Sequence, residues 1–154
     1  MALGLFFPKR FREASLRRQL SPGTVIKLVA RMDDERDHEK RFVVLEVDQK
    51  TITCVINSEV GPFLRARPEL LRCQVLMPAE QHKFMDHDSH IDCSRTRSFA
   101  TNEVLKQLGE KPEWVLGRIA SPLRDVIVGA IKISPTISPA DCNMICNGFG
   151  AIDP

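Results

Sequence analysis

The sequence predicts a mainly β fold with short helices, organised as a small antiparallel barrel or half-barrel with a C-terminal helix, and three observations carry that expectation. Runs rich in Val, Ile and Thr recur at close spacing: TVIKLVAR (24–31), RFVVLEVD (41–48) and TITCVINS (51–58). The connections are too short for a helical crossover, with only Gln49 and Lys50 between the second and third runs, so neighbouring strands pair antiparallel. Ser121-Pro122 then opens a helix whose Leu123, Val126, Ile127, Ala130 and Ile131 share a face that must pack on the sheet.

The remaining elements follow in order. Residues 8–20 form a basic helical extension, with Pro8 in the first turn and Phe7, Phe11 and Ala14 on one side, ended by Ser21, Pro22 and Gly23. In LLRCQVLMP (70–78), Leu71, Cys73, Val75 and Met77 alternate with polar residues, as in a half-buried strand. Met85–Ser94 and Trp114–Ala120 supply two more strands, and Thr101–Leu108 a helix capped at Gly109. Ser138-Pro139 starts a last helix that Asn147-Gly148 closes, carrying Cys142, Met144 and Cys146, and GFGAIDP is left as a loose tail. The organisation is therefore a 1–21 extension, a 22–134 barrel domain and a 135–154 extension.

At 154 residues the chain is one domain long. It has no apolar run of roughly 18 residues, so no membrane span is expected. Its N-terminal basic residues follow the apolar ones and no small-residue cleavage site appears, so a cytoplasmic protein is expected. Of the five cysteines, an odd number without a CxxC pair, Cys54, Cys73 and Cys93 read as reduced core thiols. Cys142 and Cys146 share a helix face, but a metal there needs two further ligands. The net charge of +2 announces no nucleic-acid binder, although Lys9, Arg10, Arg12, Arg17 and Arg18 cluster against Glu13 while DDERDHE (33–39) is mostly acidic.

Chemistry concentrates in HKFMDHDSHIDCSRTR (82–97), which holds three of the four histidines. His87, His90 and Asp92 can move protons near neutral pH, and Arg95 and Arg97 can hold a phosphate. The same stretch also reads as a solvated polar strand and turn.

Five pieces recur in a telling order across roughly residues 22–134: Pro22-Gly23-Thr24-Val25-Ile26, Lys40-Arg41-Phe42-Val43-Val44-Leu45, Cys54-Val55-Ile56-Asn57-Ser58, Ile91-Asp92-Cys93-Ser94-Arg95-Thr96 and Leu116-Gly117-Arg118-Ile119 before the helix. In order and spacing they resemble the MazF/PemK (Kid) toxin family of bacterial toxin–antitoxin systems. The resemblance implies an SH3-like barrel, usually dimeric, an antitoxin partner, and metal-independent, cofactor-free cleavage of single-stranded RNA. It places a phosphate-holding arginine at Arg41, a base at Asp92, a proton donor at His90 and a polar contact at Asn57 or Ser58, with His38 in the loop bordering the site. The chain departs from the family in that loop, which is DDERDHE, and in Phe42 after Arg41.

Each residue also has a plainer reading. Arg41 can pair with Glu39 or Glu46, Asp92 can accept hydrogen bonds at a turn, His38 can be solvated, Asn57 and Ser58 can end a strand, and Trp114 can lie in the core or on a dimer surface. Two rival functions remain: a metal-dependent hydrolase using His82, His87 and His90, and a catalytically degenerate barrel that binds RNA or protein.

Overall fold

Two hairpins at the front of the chain seed the sheet. β1 (Thr24–Arg31) pairs with β2 (Asp37–Val47), which pairs with β3 (Lys50–Asn57), all antiparallel. The computed structural model describes residues 9–150. The acidic segment is shorter as a loop than the sequence suggested, because Asp37–Lys40 continue β2 opposite β1 and only residues 32–36 turn. In that turn Glu35 adopts a positive φ of 63°.

The later elements are α2 (Pro62–Arg65), α3 (Pro68–Leu71), β4 (Gln74–Met77), β5 (Ser89–Asp92), β6 (Arg97–Ala100), α4 (Thr101–Glu110), β7 (Val115–Arg118), α5 (Leu123–Lys132) and α6 (Pro139–Gly150), preceded by α1 (Lys9–Gln19). Together they make a mainly antiparallel seven-stranded sheet with several short helices. Its order is β4-β5-β3-β2-β1-β7, with β6 also on β3, and β4 and β7 stand at opposite ends without pairing, so the sheet is not closed. β5 and β6 lie end to end along one edge of β3, β5 opposite Ile56 and Asn57 and β6 opposite Lys50–Thr53.

Side chains alternate across a strand, and here both faces are covered. On one face Val25, Val43, Cys54, Ile56 and Ile91 pack with Ile127 and Ile131 of α5 and Ile145 and Phe149 of α6. On the other, Ile26, Leu28, Phe42, Val44 and Val55 pack with Leu16, Leu20, Leu105 and Leu108. The sheet thus lies between two cores, which is why every residue from Thr51 to Ile56 is buried.

Several expectations need correction. The helix α1 buries Leu16 and Leu20, whereas Phe11 is 55% exposed and Ala14 is exposed; Phe7 and Pro8 lie outside the described residues. Leu71 belongs to α3, since Pro68 at its first turn starts a helix where alternation suggested a strand. The expected strand over 85–94 shrinks to β5, because residues 82–88 turn. Gly109 lies inside α4, whose cap is Lys111. Ser121 supplies no side-chain cap, and Val126 faces outward. By contrast Ser138 caps α6, its Oγ accepting from the Asp141 N–H at 3.1 Å. Gly148 and Phe149, placed in a loose tail by sequence, continue α6, and Phe149 is fully buried. Residues 151–154 lie outside the described residues. Among the described residues no helix is long and apolar enough to cross a membrane.

Phe149→Ala should therefore destabilise the protein by about 3–5 kcal/mol, whereas Val126→Ala on the exposed face of α5 should cost no more than about 0.5 kcal/mol. Chemical denaturation of both variants checks this. Equal, small losses would mean that α6 is not part of the core.

Candidate functional site

The register of β3 decides which residues can meet. Arg41 lies opposite Ile56, and Ile56 opposite Ile91, so Arg41 shares the face of those two isoleucines. Asn57 lies opposite His90, one residue out of step, and therefore faces the other way together with Asp92. The three residues to which the family resemblance assigns catalysis are thus divided: Arg41 on one side of the sheet, His90 and Asp92 on the other. The pair Asn57 and Ser58 is divided as well.

On the Arg41 side lies a cleft of about 330 Å³ lined by Lys27, Glu39, Lys40, Arg41, Ile56, Ser58, Met85, His87 and Ser89. Its cations outnumber its one carboxylate. Glu39 reaches Lys27 at 3.7 Å, and among the described residues no carboxylate pairs with Arg41, whose Nη1 meets only the Met85 sulfur at 3.7 Å. Neither Glu39 nor Glu46 takes the role that local sequence offered it.

His87 is held in this cleft by anchors on both sides. Upstream, His82 is 1% exposed and uses both ring nitrogens: Nδ1–H donates to the Pro78 carbonyl at 2.6 Å, and Nε2 accepts from the Ala120 N–H at 3.0 Å. The Phe84 ring rests edge-on to His82 and against Gly117, where φ is +158° and a Cβ would lie 2.6 Å from the ring. Met85 follows, buried, its N–H bonded to the His82 carbonyl at 2.9 Å. Downstream, Asp88 Oδ1 accepts from the Ala79 N–H at 2.9 Å. Between these anchors His87 Nδ1 lies 2.9 Å from the Asp88 carbonyl oxygen. A carbonyl only accepts, so this contact needs a proton on Nδ1, and in the neutral ring Nε2 is then the acceptor.

On the opposite side lies a larger cleft of about 860 Å³, walled by the 32–34 turn and by α2, with Val55, Asn57, Glu59, Asp92 and Arg95 among its lining. Asp92 is 3% exposed, and its Oδ1 takes the Ser94 N–H at 3.0 Å, the Ser94 hydroxyl at 2.5 Å and Gln74 Nε2 at 2.8 Å. The plainer reading of Asp92, a turn acceptor, is what the contacts show. His90 lines neither cleft, and its Nδ1 is buried without a hydrogen-bond partner among the described residues.

Arg95 and Arg97 are both engaged with Asp33, Arg97 Nη2 at 2.8 Å and Arg95 Nη2 on the second oxygen. They clamp the β1–β2 turn to the β5–β6 connection rather than standing open to phosphate. His38 Nε2 is 2.7 Å from Asp34 Oδ2 on the exposed turn and lines neither cleft. Trp114 is buried at 8% exposure, with the Lys111 and Lys27 ammoniums 4.5 and 5.4 Å from its ring centre.

The three histidines of the metal reading do not converge: His82 is fully committed, and among the described residues no group of three or more His, Cys, Asp or Glu could hold a metal ion. Cys142 and Cys146 approach to 4.0 Å, and among the described residues no third ligand joins them. Burial raises the Cys73 thiol, and the hydrogen bond with Cys54 together with burial holds Cys93 well above the usual thiol range, consistent with inert core thiols.

Lys27, Lys40 and Ser89 were not singled out from sequence. Lys27 carried a signal, as a charged residue inside the apolar run TVIKLVAR. No protein-family model and no curated protein matches this chain.

The Arg95 hydrogen bond holds the Asp33 carboxyl below its ordinary value of 3.8, against a smaller opposing effect of burial. A depressed carboxylate contributes stability that is present above 3.8 and is lost as pH falls through the folded-state value. Asp33 is well exposed, so the contribution is at most about 1 kcal/mol. Asp33→Asn should lower the melting temperature slightly at pH 7, and the deficit should shrink in strong acid. A deficit that grows on acidification would contradict the clamp.

Proposed function

We propose that this chain is an endoribonuclease, SH3-like and MazF/PemK-like, that cleaves single-stranded RNA without a metal through attack of the ribose 2′-hydroxyl. The observation that carries the reading is the small cleft: Arg41, without a carboxylate partner among the described residues, shares it with Lys27 and with an imidazole whose Nε2 is left as the acceptor. Those are the groups that the chemistry needs, a cation for the phosphorane and a base for the 2′ proton.

His87 Nε2 takes the 2′ proton while the 2′-oxygen forms its bond to phosphorus. The bond from phosphorus to the 5′-oxygen breaks, and that oxygen takes a proton from water or from a cleft ammonium. Arg41 binds the non-bridging oxygens, on which charge builds up in the transition state. The products are a 2′,3′-cyclic phosphate and a 5′-hydroxyl. This moves the base from Asp92, whose side of the sheet is wrong for Arg41, to His87. A homodimer and a cognate antitoxin belong to the same proposal, and the exposed Arg12, Arg17 and Arg18 of α1 offer a basic surface for an acidic partner.

Purified protein should cut single-stranded RNA in the presence of EDTA. Arg41→Ala and His87→Ala should each slow cleavage by about two to four powers of ten, with folding checked by circular dichroism, while His90→Ala stays near wild type. A strict requirement for a divalent ion, or 5′-phosphate ends, would contradict the mechanism. Binding of RNA without any cleavage would favour the degenerate binding module instead.

A further inference from the structure

The two clefts lie back to back across the end of β3, since Ile56 and Ser58 line the small basic one and Asn57 and Glu59 line the large one. Lys40 joins them: it lines the basic cleft and its Nζ donates to Asn57 Oδ1 at 3.2 Å. A nucleotide whose phosphate sits by Arg41 therefore has the large cleft within reach around the strand end. We propose that the large cleft is a nucleobase pocket selective for guanine, and this rests on the RNA reading of the basic cleft.

The polar groups left open in the pocket make the choice. An ammonium only donates, so the bond from Lys40 fixes Asn57 Oδ1 as its acceptor and leaves the Asn57 amide N–H groups for a ligand. Asp92 receives all three of its donors on Oδ1, and among the described residues no donor meets Oδ2. Glu59 adds a second carboxylate, exposed and without a cation partner among the described residues. Asp33 and Asp34 also line the cleft but are held by Arg95, Arg97 and His38, so the groups left for a base are the Asn57 amide and the carboxylates of Asp92 and Glu59.

A matching base edge must bring one acceptor and two donor groups. Guanine does so with O6, N1–H and the N2 amine. Adenine, cytosine and uracil each bring one donor group on that edge, and their remaining acceptors would face a carboxylate. Phe63 supplies an apolar platform: it lines the cleft, is 62% exposed, and carries the Arg67 guanidinium 3.6 Å from its ring centre.

Titration calorimetry of the full chain with GMP, IMP, AMP, CMP and UMP tests this without any substitution. GMP should bind roughly tenfold tighter than AMP, CMP or UMP, and IMP, which lacks the N2 amine, should be weaker than GMP. Glu59→Gln, at an exposed position, should narrow the gap between GMP and IMP, and Phe63→Ala should weaken all five ligands. Asp92→Asn should remove the GMP preference where the variant stays folded. Equal binding of GMP and IMP, or no preference among the five, overturns the pocket. Cleavage in EDTA is read separately: RNA cut without base preference leaves the nuclease standing and removes the pocket, whereas GMP selectivity without cleavage leaves the pocket and removes the nuclease.

Discussion

Alternation of side chains along β3 is the constraint on which the rest of this structure depends. The strand is paired on both edges, to β2 on one side and to β5 and β6 on the other, so it cannot slip without breaking hydrogen bonds on three neighbours. Both of its faces are buried as well. A shift of one residue would exchange Cys54 and Ile56, which pack beneath α5 and α6, with Val55, which packs with Phe42. The two cores lock the register, and the register assigns each polar residue at the strand end to one cleft or the other.

From this follows a division of labour between two polar environments only one residue apart. The basic cleft gathers Lys27, Lys40 and Arg41 around His87. The larger cleft is acidic, with Asp33, Asp34, Glu59 and Asp92 against Arg95. A phosphate is drawn to the first and repelled by the second, and the donor groups of a base suit the second better. His82 matters to this arrangement although it touches neither cleft. Its two hydrogen bonds tie the 82–88 segment to Pro78 and to Ala120, two residues past β7, and so fix where His87 stands.

Much of the fold was legible in the sequence where local signals and packing agree. The runs of Val, Ile and Thr located β1 to β3 within a few residues, and the short links between them gave their antiparallel pairing. Ser138-Pro139 marked a helix start with a capping bond behind it. Failures came where the deciding contact is distant. Pro68 drew Leu70 and Leu71, the start of an alternating stretch that otherwise forms β4, into α3, β6 is four residues that pair with β3 alone among the described residues, and Phe149 looked like tail because nothing nearby shows that β2 and α5 receive it. The candidate site was half legible. Arg41, His87 and Ser58 were noticed, but their grouping was not, because the faces of residues 41, 57, 90 and 92 depend on registers across three strands. A bulge in β2 between Val44 and Glu46 makes simple counting from the hairpin fail.

The central claim is that phosphate is held on the Arg41 face of the sheet and that His87 Nε2 is the group that receives a proton there. Nitrogen-15 NMR of the histidine rings, with and without a 2′-deoxy oligonucleotide that cannot be cleaved, tests both parts together. The account predicts that His87 is the Nδ1–H tautomer in the free protein, and that its Nε2 resonance and the Arg41 side-chain resonance move saturably on binding. A His87 ring protonated on Nε2, or shifts at His90 with none at His87 or Arg41, would contradict it.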